Sequence, residues 1–459
     1  MYLKISLGII FTFLAAVTAS AQHLRHKGTL GMEVAEASDS LLSTLKFPNT
    51  QGVLVKHVVP HFTADVLGIM VDDIIVDIND TDSLDVLDFQ KLERELNENE
   101  PISITFIRGR RKTRVVGKTL AGRRESSLGE VIYGEVAYGT GFLRTIVHKP
   151  FGAARFPAVF YLQDYDCGSV EFSVDSLSPV KKLVDGWVKA GFAVVRVEKP
   201  GVGESAGTKP CHQLNYGEEL VAFQNAFAAF KKLPFIDSTQ LFLFGYSLGG
   251  VMAPLLAAKA VYKPRGIMVY GTVVKPWFEH MLDVFRKQPV LFNESLPSVD
   301  VNVRMLTPLL YEWLVQRRNA SDLLTDPNFE AILTSKENPL SFHKGTFFGR
   351  SGSYFSDLNS QSPVQAWVQA AVPTLAIYGE FDSKAISSES SQQIARLVNE
   401  AKPGKGTYKL LKGTDQSFVK VRSFDEYLQL RRTGKYRTHA LGNFNSELID
   451  MTVQWMKQQ

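Results

Sequence analysis

A serine flanked by glycines offers the most reactive chemistry in this sequence. Ser247 is the centre of the segment 245–249, Gly-Tyr-Ser-Leu-Gly, which follows the apolar run 241–244 and precedes the apolar run 251–258. Small residues two positions before and after a serine allow a sharp strand-to-helix turn that exposes the hydroxyl. The N-terminus of the following helix would stabilise negative charge beside it. The pattern predicts a serine nucleophile on this turn; the alternative is a glycine-rich turn that only packs a helix onto a sheet.

The chain as a whole has the composition of an ordinary globular protein. It has 459 residues, of which 45% are hydrophobic and 21% are charged, and its net charge is +4. This length is enough for two or three domains. Because charges of both signs are well mixed along the chain, the sequence has no basic patch typical of nucleic-acid binding. We therefore expect no nucleic-acid partner.

The N-terminus has the pattern of a secretory signal peptide. Lys4 is followed by the apolar segment 5–16 and by the small-residue cleavage site 19–21, Ala-Ser-Ala. The apolar segment is too short to span a bilayer, and no second long apolar run follows. Residues 1–21 are therefore predicted to be a signal peptide. The mature protein is expected to be exported to a periplasm or to the cell exterior, without a membrane span.

Residues 28–118 are predicted to form a small β-rich domain. The segments 52–58 and 73–79 have strand character, and apolar and polar residues alternate over 102–106. Such alternation is typical of a strand that buries one face. The segment between the second and third strands has apolar residues on one helical face.

The pattern of this β-rich region resembles that of a PDZ domain, with Asp72 where that family usually has glycine. The resemblance implies that the family's carboxylate-binding loop falls on four consecutive residues, Thr29, Leu30, Gly31 and Met32. Backbone N–H groups of such a loop capture a peptide C-terminus while the peptide adds a strand to the sheet edge. The implied partner is a peptide; the alternative is that the domain only packs against the rest of the chain.

A different pattern begins after a predicted polar connector at residues 119–140. Over residues 141–459 short apolar runs alternate with amphipathic segments. Continuous apolar strands are typical of a parallel sheet that is covered on both faces. The alternation predicts a doubly wound α/β domain. The aromatic-rich segment from about 272 to 370 interrupts this rhythm, and we expect it to be a helical insertion that forms a lid over Ser247.

With this arrangement, residues 141–459 resemble the α/β-hydrolase superfamily, and most closely its exported or bacterial carboxylesterase-like members. The predicted fold class is therefore α/β, a mostly parallel α/β-hydrolase sheet with a helical lid, preceded by the PDZ-like domain. The resemblance implies a serine, an acid and a histidine in that chain order. Ser247 matches the nucleophile. Asp382, which follows the strand-like run 374–378 in a G-x-x-D pattern, matches the acid; its alternative role is to cap the next helix.

The third member of the implied triad is missing from its expected position. The superfamily's histidine follows the last strand in a G-x-x-H-x-F pattern, and this chain has Gln416 there, between Gly413 and Phe418. A glutamine amide hydrogen-bonds a serine hydroxyl but does not accept and return its proton near neutral pH. Among the nine histidines, His439 follows Asp382 in the required order and is the best substitute base.

The resemblance also implies the groups that would stabilise an oxyanion. The N–H of Leu248 is one donor. The superfamily usually has a glycine after the strand 158–162, and this chain has Asp164, whose carboxylate would oppose developing negative charge. The resemblance implies a sheet order in which the loops of Cys167 and Cys211 follow adjacent strands, and this proximity favours a disulfide between them. The expected export permits such a bond. Two isolated buried thiols are the alternative.

These residues lead to two functional hypotheses. The first is an exported serine hydrolase of the carboxylic ester hydrolase type, which acts on a small ester or acyl substrate and whose activity is weakened or lost through Gln416. The second is a non-catalytic scaffold that binds peptides or proteins through the PDZ-like domain. No cofactor is expected, and no Cys/His cluster has the spacing of a metal site.

Overall fold

Two β-sheets organise the protein. The structure, a computed structural model, describes residues 23–48, 50–82, 84–173 and 177–459. The predicted signal peptide, residues 1–21, lies outside these ranges. No helix in these ranges combines the length and the apolar character needed to cross a membrane.

The first sheet is formed by residues that precede position 119. The elements of this region, with the short strand that follows it, are β1 (Gly28–Thr29), β2 (Met32–Glu36), α1 (Asp39–Thr44), β3 (Val53–Val58), α2 (Thr63–Val66), β4 (Ile74–Ile78), β5 (Thr81–Asp82), α3 (Val86–Glu95), β6 (Pro101–Arg108), β7 (Arg111–Lys118) and β8 (Leu120–Ala121). The strand order is β2-β3-β4-β6-β7 with antiparallel pairing, β5 pairs with β4, and β1 pairs with β8. Alternate residues of β6, Ile102, Ile104 and Phe106, are buried in one core with Phe89 of α3. Strand β2 is an edge of this sheet, and α3 packs beside it.

The second sheet and its helices are formed by residues 130–459. The elements are β9 (Glu130–Tyr138), β10 (Gly141–Lys149), β11 (Phe156–Leu162), α4 (Pro179–Lys189), β12 (Ala193–Val197), a 3-10 helix (Cys211–Gln213), α5 (Tyr216–Phe230), β13 (Ile236–Tyr246), α6 (Leu248–Lys259), β14 (Gly266–Tyr270), α7 (Trp277–Leu291), α8 (Leu296–Leu310), a π-helical turn (Tyr311–Val315), α9 (Ala320–Leu324), α10 (Glu330–Thr334), β15 (Thr346–Phe347), β16 (Arg350–Ser351), α11 (Gly352–Asn359), α12 (Pro363–Ala370), β17 (Thr374–Phe381), α13 (Glu389–Ala401), β18 (Gly406–Asp415), α14 (Phe424–Arg432), α15 (Tyr436–Gly442) and α16 (Glu447–Gln458).

This second sheet has eight strands in the order β18-β17-β14-β13-β11-β12-β10-β9. The six strands from β18 to β12 are parallel, and β10 and β9 complete the sheet with antiparallel pairing. Strand β14 is buried along its whole length, as expected for a central strand of a sheet covered on both faces. The carboxyl ends of the parallel strands therefore meet at one edge, where this class of sheet carries its sites.

Helices cover both faces of the second sheet. On one face α4 and α16 pack together, and Trp187 of α4 is fully buried against Phe244 of β13, with 4.9 Å between the ring centroids. Its indole Nε1 donates a 2.9 Å hydrogen bond to the Thr452 hydroxyl of α16. Helix α4 begins at the N-cap Ser178 with a proline in its first turn, which is the favoured helix start. The other face is covered by α5, α6, α12 and α13.

Residues 119–140 do not form only a polar connector, and this expectation is corrected. Strand β9 pairs with β10 from Tyr138 opposite Gly141 to Glu130 opposite Lys149, so residues 130–138 belong to the second sheet. Most residues of β9 are half-buried, as they are in an edge strand. Its sequence therefore has neither the continuous apolar run nor the clear alternation that would have marked a strand.

The insertion predicted over about 272–370 lies between β14 and β17 and carries the helices α7 to α12 with the hairpin β15–β16. Its last helix, α12, packs against α6 and so forms part of the helix layer on the sheet. The lid proper therefore ends before Pro363, where α12 begins.

Candidate active site

Ser247 lies on the sharp turn between β13 and α6. Its backbone has φ +53° and ψ −120°, a region that costs a non-glycine residue about 1–3 kcal/mol. A Cβ on Gly245 would lie 2.5 Å from the Cα of Gly250, and one on Gly249 would lie 2.1 Å from the carbonyl oxygen of Leu162. Both positions therefore require glycine. The turn has the strain and the close backbone approach of a nucleophile elbow.

The side chain of Gln416 reaches the serine hydroxyl. Its Nε2 donates a hydrogen bond to Ser247 Oγ over 3.2 Å, and the residue is only 7% exposed. The turn after β18 is fixed by Asp415, whose Oδ1 accepts the N–H groups of Ser417 at 2.8 Å and Val419 at 3.0 Å. Gln416 is thus held next to the serine, where a catalytic base would act.

Asp382 lies at the end of β17 and is fully buried. Its Oδ1 accepts the N–H groups of Lys384 and Ala385, each at 2.9 Å, and its Oδ2 has no hydrogen-bond partner among the described residues. Burial raises the pKa of this carboxyl to about 6. A Cβ on Gly271 would meet Asp382 Oδ2 at 2.4 Å and Gln416 Cγ at 3.8 Å. Asp382 therefore closes a local turn and points its second oxygen into the neighbourhood of Gln416, and no imidazole of the described residues hydrogen-bonds that oxygen.

The structure does not bring His439 to Ser247. This residue lies on α15, its Nε2 is 2.9 Å from the carbonyl oxygen of Lys420, and it lines a surface cavity separate from that of the serine. The predicted role of His439 as substitute base is corrected on this ground. His439 follows Asp382 in the chain, but α15 does not place its side chain at the edge of the sheet where β13 ends.

A different histidine, His280 of α7, lines the cavity of Ser247. Sequence reasoning placed it in the lid and gave it no role. It is buried, and its ring packs at a tilt against that of Trp277, with 4.9 Å between the ring centroids. Burial, helped by the positive charge of Lys275, lowers its pKa to about 4, so the imidazole is neutral at physiological pH. No hydrogen bond joins it to the serine, and only its position in the predicted lid pointed to the cavity.

The N–H of Leu248 does not face an empty oxyanion pocket. It donates to Oδ1 of Asp164 over 3.3 Å, and the same oxygen accepts the N–H of Tyr165 at 2.8 Å. Three residues further along this loop, Cys167 is bonded to Cys211, with 5.9 Å between their Cα atoms. The disulfide therefore joins the loop after β11 to the 3-10 helix that follows β12.

The cavity next to Ser247 is small and mostly apolar. Its volume is about 190 Å³. The side chains that make its wall apolar come from the lid and from the loop after β14, and they are Val273, Trp277, Met281, Val284, Phe348 and Phe355. Two buried polar atoms of the wall, Thr272 Oγ1 and Trp277 Nε1, have no hydrogen-bond partner in the described chain. Across the described ranges, no group of three or more His, Cys, Asp or Glu side chains is arranged to hold a metal ion.

The loop predicted to bind a peptide carboxylate is also filled. Glu93 of α3 accepts the N–H of Leu30 at 3.2 Å and the hydroxyl of Thr29 at 3.4 Å through one oxygen, Oε1. Burial is the main cause of a raised pKa at Glu93. Gly31 has a φ of +69°, and Met32 is buried at the start of β2. The four predicted residues thus lie together, with a carboxylate of the same chain against their donors.

The chain is similar to several known proteins over part or most of their length. The chain is 29% identical over 164 residues to an esterase named FrsA from Pectobacterium atrosepticum. The matched residues are 35% of this chain and 36% of that relative, so the chain spans about a third of the relative's length. Among solved structures, proline iminopeptidase of Mycobacterium smegmatis has a TM-score of 0.42 at 14% identity and is matched over 71% of this chain and 98% of its own. A soluble variant of monoglyceride lipase from Saccharomyces cerevisiae has a TM-score of 0.43 at 13% identity, over 73% of this chain and 96% of its own.

The match to a protein family is broader. Residues 174–414, just over half of the chain, match the family described as serine aminopeptidase, S33. The match includes Ser247 and Asp382 and ends two residues before Gln416. With its mostly parallel sheet and its strained serine turn, the chain belongs to this serine aminopeptidase S33 family and has the α/β-hydrolase fold.

Proposed function

We propose that the protein is an exported hydrolase of the carboxylic ester type, which binds small ester or acyl ligands at Ser247 and turns them over slowly or not at all. The signal-peptide pattern of residues 1–21 supports export to a periplasm or to the cell exterior. The similarity to an esterase supports the ester class. The apolar wall of the cavity suits the acyl part of such a ligand.

One observation carries this proposal, the 3.2 Å hydrogen bond from Gln416 Nε2 to Ser247 Oγ. In acyl transfer the base accepts the proton of the serine as the oxygen attacks the carbonyl. Here the neighbour donates a hydrogen bond to the serine oxygen through an amide N–H, and the amide nitrogen does not accept the serine proton. Loss of a triad member typically costs about 10⁴–10⁶-fold in turnover, which is about 5–8 kcal/mol of barrier.

The neighbouring acid supports the same proposal. Asp382 has the position of a triad acid, but its Oδ2 lacks a hydrogen-bond partner among the residues that the structure describes, and its pKa is raised to about 6. An imidazole in place of the Gln416 amide would give this oxygen a donor. The site therefore keeps the nucleophile and the acid of an esterase and lacks the group that moves the proton.

A second candidate function is peptide binding by the N-terminal β-rich region, which we propose to be a PDZ-like domain. The free edge of β2 next to α3 favours it, because a peptide added there would extend the sheet. In this alternative the hydrolase region is a non-catalytic scaffold. Glu93 argues against spontaneous capture of a peptide carboxylate, since it already accepts the N–H of Leu30.

The test is labelling with a fluorophosphonate probe, together with hydrolysis of short p-nitrophenyl esters. We expect weak or no labelling of the native protein, none of Ser247→Ala, and at least a tenfold faster labelling of Gln416→His. Gln288→His is the matched control, because it adds an imidazole to the wall of the same cavity at a side chain that hydrogen-bonds the carbonyl oxygen of Ser383 and not the Ser247 hydroxyl.

Rapid labelling of the native protein at Ser247, or equal acceleration by Gln288→His and Gln416→His, would contradict the assignment of Gln416 as the missing base. Loss of Ser247-dependent labelling in every variant would contradict the ester hydrolase function itself.

A further inference from the structure

The carboxylate of Asp164 lies where a reacting carbonyl oxygen would lie. In this fold the oxyanion is bound by the N–H of the residue after the nucleophile and by an N–H of a loop that follows a neighbouring strand, which is β11 in this protein. Here these donors are Leu248 and Tyr165, and both donate to one oxygen, Oδ1 of Asp164, at 3.3 Å and 2.8 Å. Two converging N–H groups on one anionic oxygen is the arrangement that stabilises a tetrahedral intermediate.

We propose that Asp164 is an internal ligand of the oxyanion hole, and that it competes with the carbonyl oxygen of any substrate for the N–H groups of Leu248 and Tyr165. This proposal rests on the proposed function for its effect on turnover, but not for its effect on anion binding. Hydrogen bonds to a carboxylate are about twice as strong as those to a neutral acceptor. A neutral ester carbonyl is therefore the weaker competitor for these donors.

Several contacts hold the Asp164 loop in this position. Lys199 Nζ donates to the carbonyl oxygens of Asp164 at 2.5 Å and Asp166 at 2.8 Å. The buried guanidinium of Arg350, from the lid, donates to the carbonyl oxygen of Tyr165. The disulfide of Cys167 follows in the same loop. Because the backbone is fixed by the sheet, the lid and a covalent bond, the carboxylate does not leave the hole without a rotation of its own short side chain.

Two separate obstacles to acyl transfer follow from this geometry. Gln416 blocks removal of the serine proton, and Asp164 blocks binding of the oxyanion. A negative charge that develops on the substrate next to the Asp164 carboxylate is also repelled by it. Removal of one obstacle leaves the other in place. The double variant is therefore expected to gain more in labelling rate than the product of the gains of the two single variants.

The first arm of the experiment measures fluorophosphonate labelling of Gln416→His and of the double variant Gln416→His/Asp164→Gly. We expect the double variant to label about 10²-fold faster than Gln416→His, which is the size of effect associated with one oxyanion-hole donor. Asp164→Asn, which keeps the shape and removes the charge, should give an intermediate rise. Asp166→Asn is the matched control, since this exposed carboxylate of the same loop accepts the N–H of Gly168 and has no other hydrogen bond to the described residues; it should leave the rate within a factor of two.

The second arm needs no chemistry at the serine. In a Ser247→Ala background, Asp164→Gly frees two N–H donors, and we expect it to bind acetate at least tenfold more tightly than Ser247→Ala alone, measured by isothermal titration calorimetry. Ser247→Ala/Asp166→Asn should bind acetate no better than Ser247→Ala.

The two arms separate the possible failures. Gain of acetate binding without any gain of labelling would support the internal ligand and count against the hydrolase function. Equal acetate binding with and without Asp164, or an equal effect of the Asp166 control, would overturn the internal ligand.

Discussion

Two loops of this protein offer backbone N–H groups to an anion, and each is filled by a carboxylate of the same chain. Asp164 fills the loop beside Ser247, and Glu93 fills the loop 29–32 of the N-terminal region. The two differ in how the carboxylate is attached. Asp164 belongs to the same loop as Tyr165, one of the two residues whose N–H groups it accepts, and it is 7% exposed. Glu93 reaches across from α3 and is half-buried.

The attachment decides what is needed to empty each loop. The Asp164 loop is tied by Lys199 and by the disulfide of Cys167 and Cys211, so the whole segment resists displacement. Glu93 has a longer side chain on a helix surface, and a change of its rotamer is enough to release the N–H of Leu30. Burial also raises its pKa, which shows that its charged form is not well solvated there. The first loop is therefore closed by a short side chain on a fixed backbone, and the second by a longer side chain that reaches across from a helix.

The largest effect that would sharpen this comparison is loss of the disulfide. We expect Cys167→Ala/Cys211→Ala to lose about 4 kcal/mol of unfolding free energy, because the bond closes a long loop in the unfolded chain, with a sequence separation of 44. The measurement is denaturant unfolding of the purified, oxidised protein. Hydrogen exchange should show faster exchange at the N–H of Tyr165 and no change at the N–H of Leu30.

The native protein under reducing conditions is the control for that variant and should behave in the same way. Equal loss of protection in both loops, or no loss at Tyr165, would contradict the claim that the disulfide fixes only the loop beside Ser247.

Much of the fold was predictable from sequence because its signals are local. Continuous apolar runs identified the parallel strands, and the α/β-hydrolase fold predicted from them and from the turn at 245–249 is confirmed. Strand β9 was not predicted because most residues of this edge strand are half-buried, so its sequence has neither a continuous apolar run nor a clear alternation. The position of Gln416 could be predicted because it follows directly from the end of a strand.

The contents of the site were less predictable because they depend on contacts distant in sequence. Sequence predicts a carboxylate near the oxyanion, but not that Asp164 accepts both N–H groups through one oxygen. His280 reaches the cavity through the packing of an insertion whose placement on the sheet no local pattern records. Glu93 meets Leu30 across 63 residues of chain. These contacts follow from how the elements pack, which the order of residues alone does not express.

Asp382 provides a third carboxylate for the comparison, because within the described part of the chain only one of its oxygens is hydrogen-bonded. Burial raises its pKa from 3.8 to about 6. The stability that the protonated form contributes is therefore complete below about pH 4 and is lost as the pH rises through 6. We expect Asp382→Asn, which keeps the acceptor for Lys384 and Ala385, to be more stable than the native protein by about 3 kcal/mol above pH 7 and equal to it below pH 4.

Thermal or denaturant unfolding between pH 4 and pH 8 measures this difference. Glu380→Gln removes an exposed carboxylate two residues away and serves as the control. A gain for Asp382→Asn that is independent of pH, or a loss of stability above pH 7, would show that the second oxygen of Asp382 has a partner at the site.

The smallest expected effect concerns the loop closed by Glu93. Glu93→Ala removes the acceptor from the N–H of Leu30 and leaves the backbone untouched. If the N-terminal region is the proposed PDZ-like domain, a peptide with a free C-terminal carboxylate should then bind about tenfold more tightly, which is about 1.4 kcal/mol and similar to one or two net hydrogen bonds. Fluorescence anisotropy of peptides with an apolar last residue measures this change.

The specificity of that gain distinguishes a carboxylate-binding site from a surface that binds all peptides more tightly. A C-terminally amidated peptide lacks the anion, so its affinity should not change in Glu93→Ala. Glu95→Ala, an exposed carboxylate on the same helix, changes the charge of α3 by the same amount and should leave both peptides unaffected. An equal gain for the amidated peptide, or for Glu95→Ala, would mean that charge on α3 controls binding. A gain confined to the free carboxylate would mean that one rotatable side chain closes this loop, in contrast to the backbone-anchored carboxylate beside Ser247.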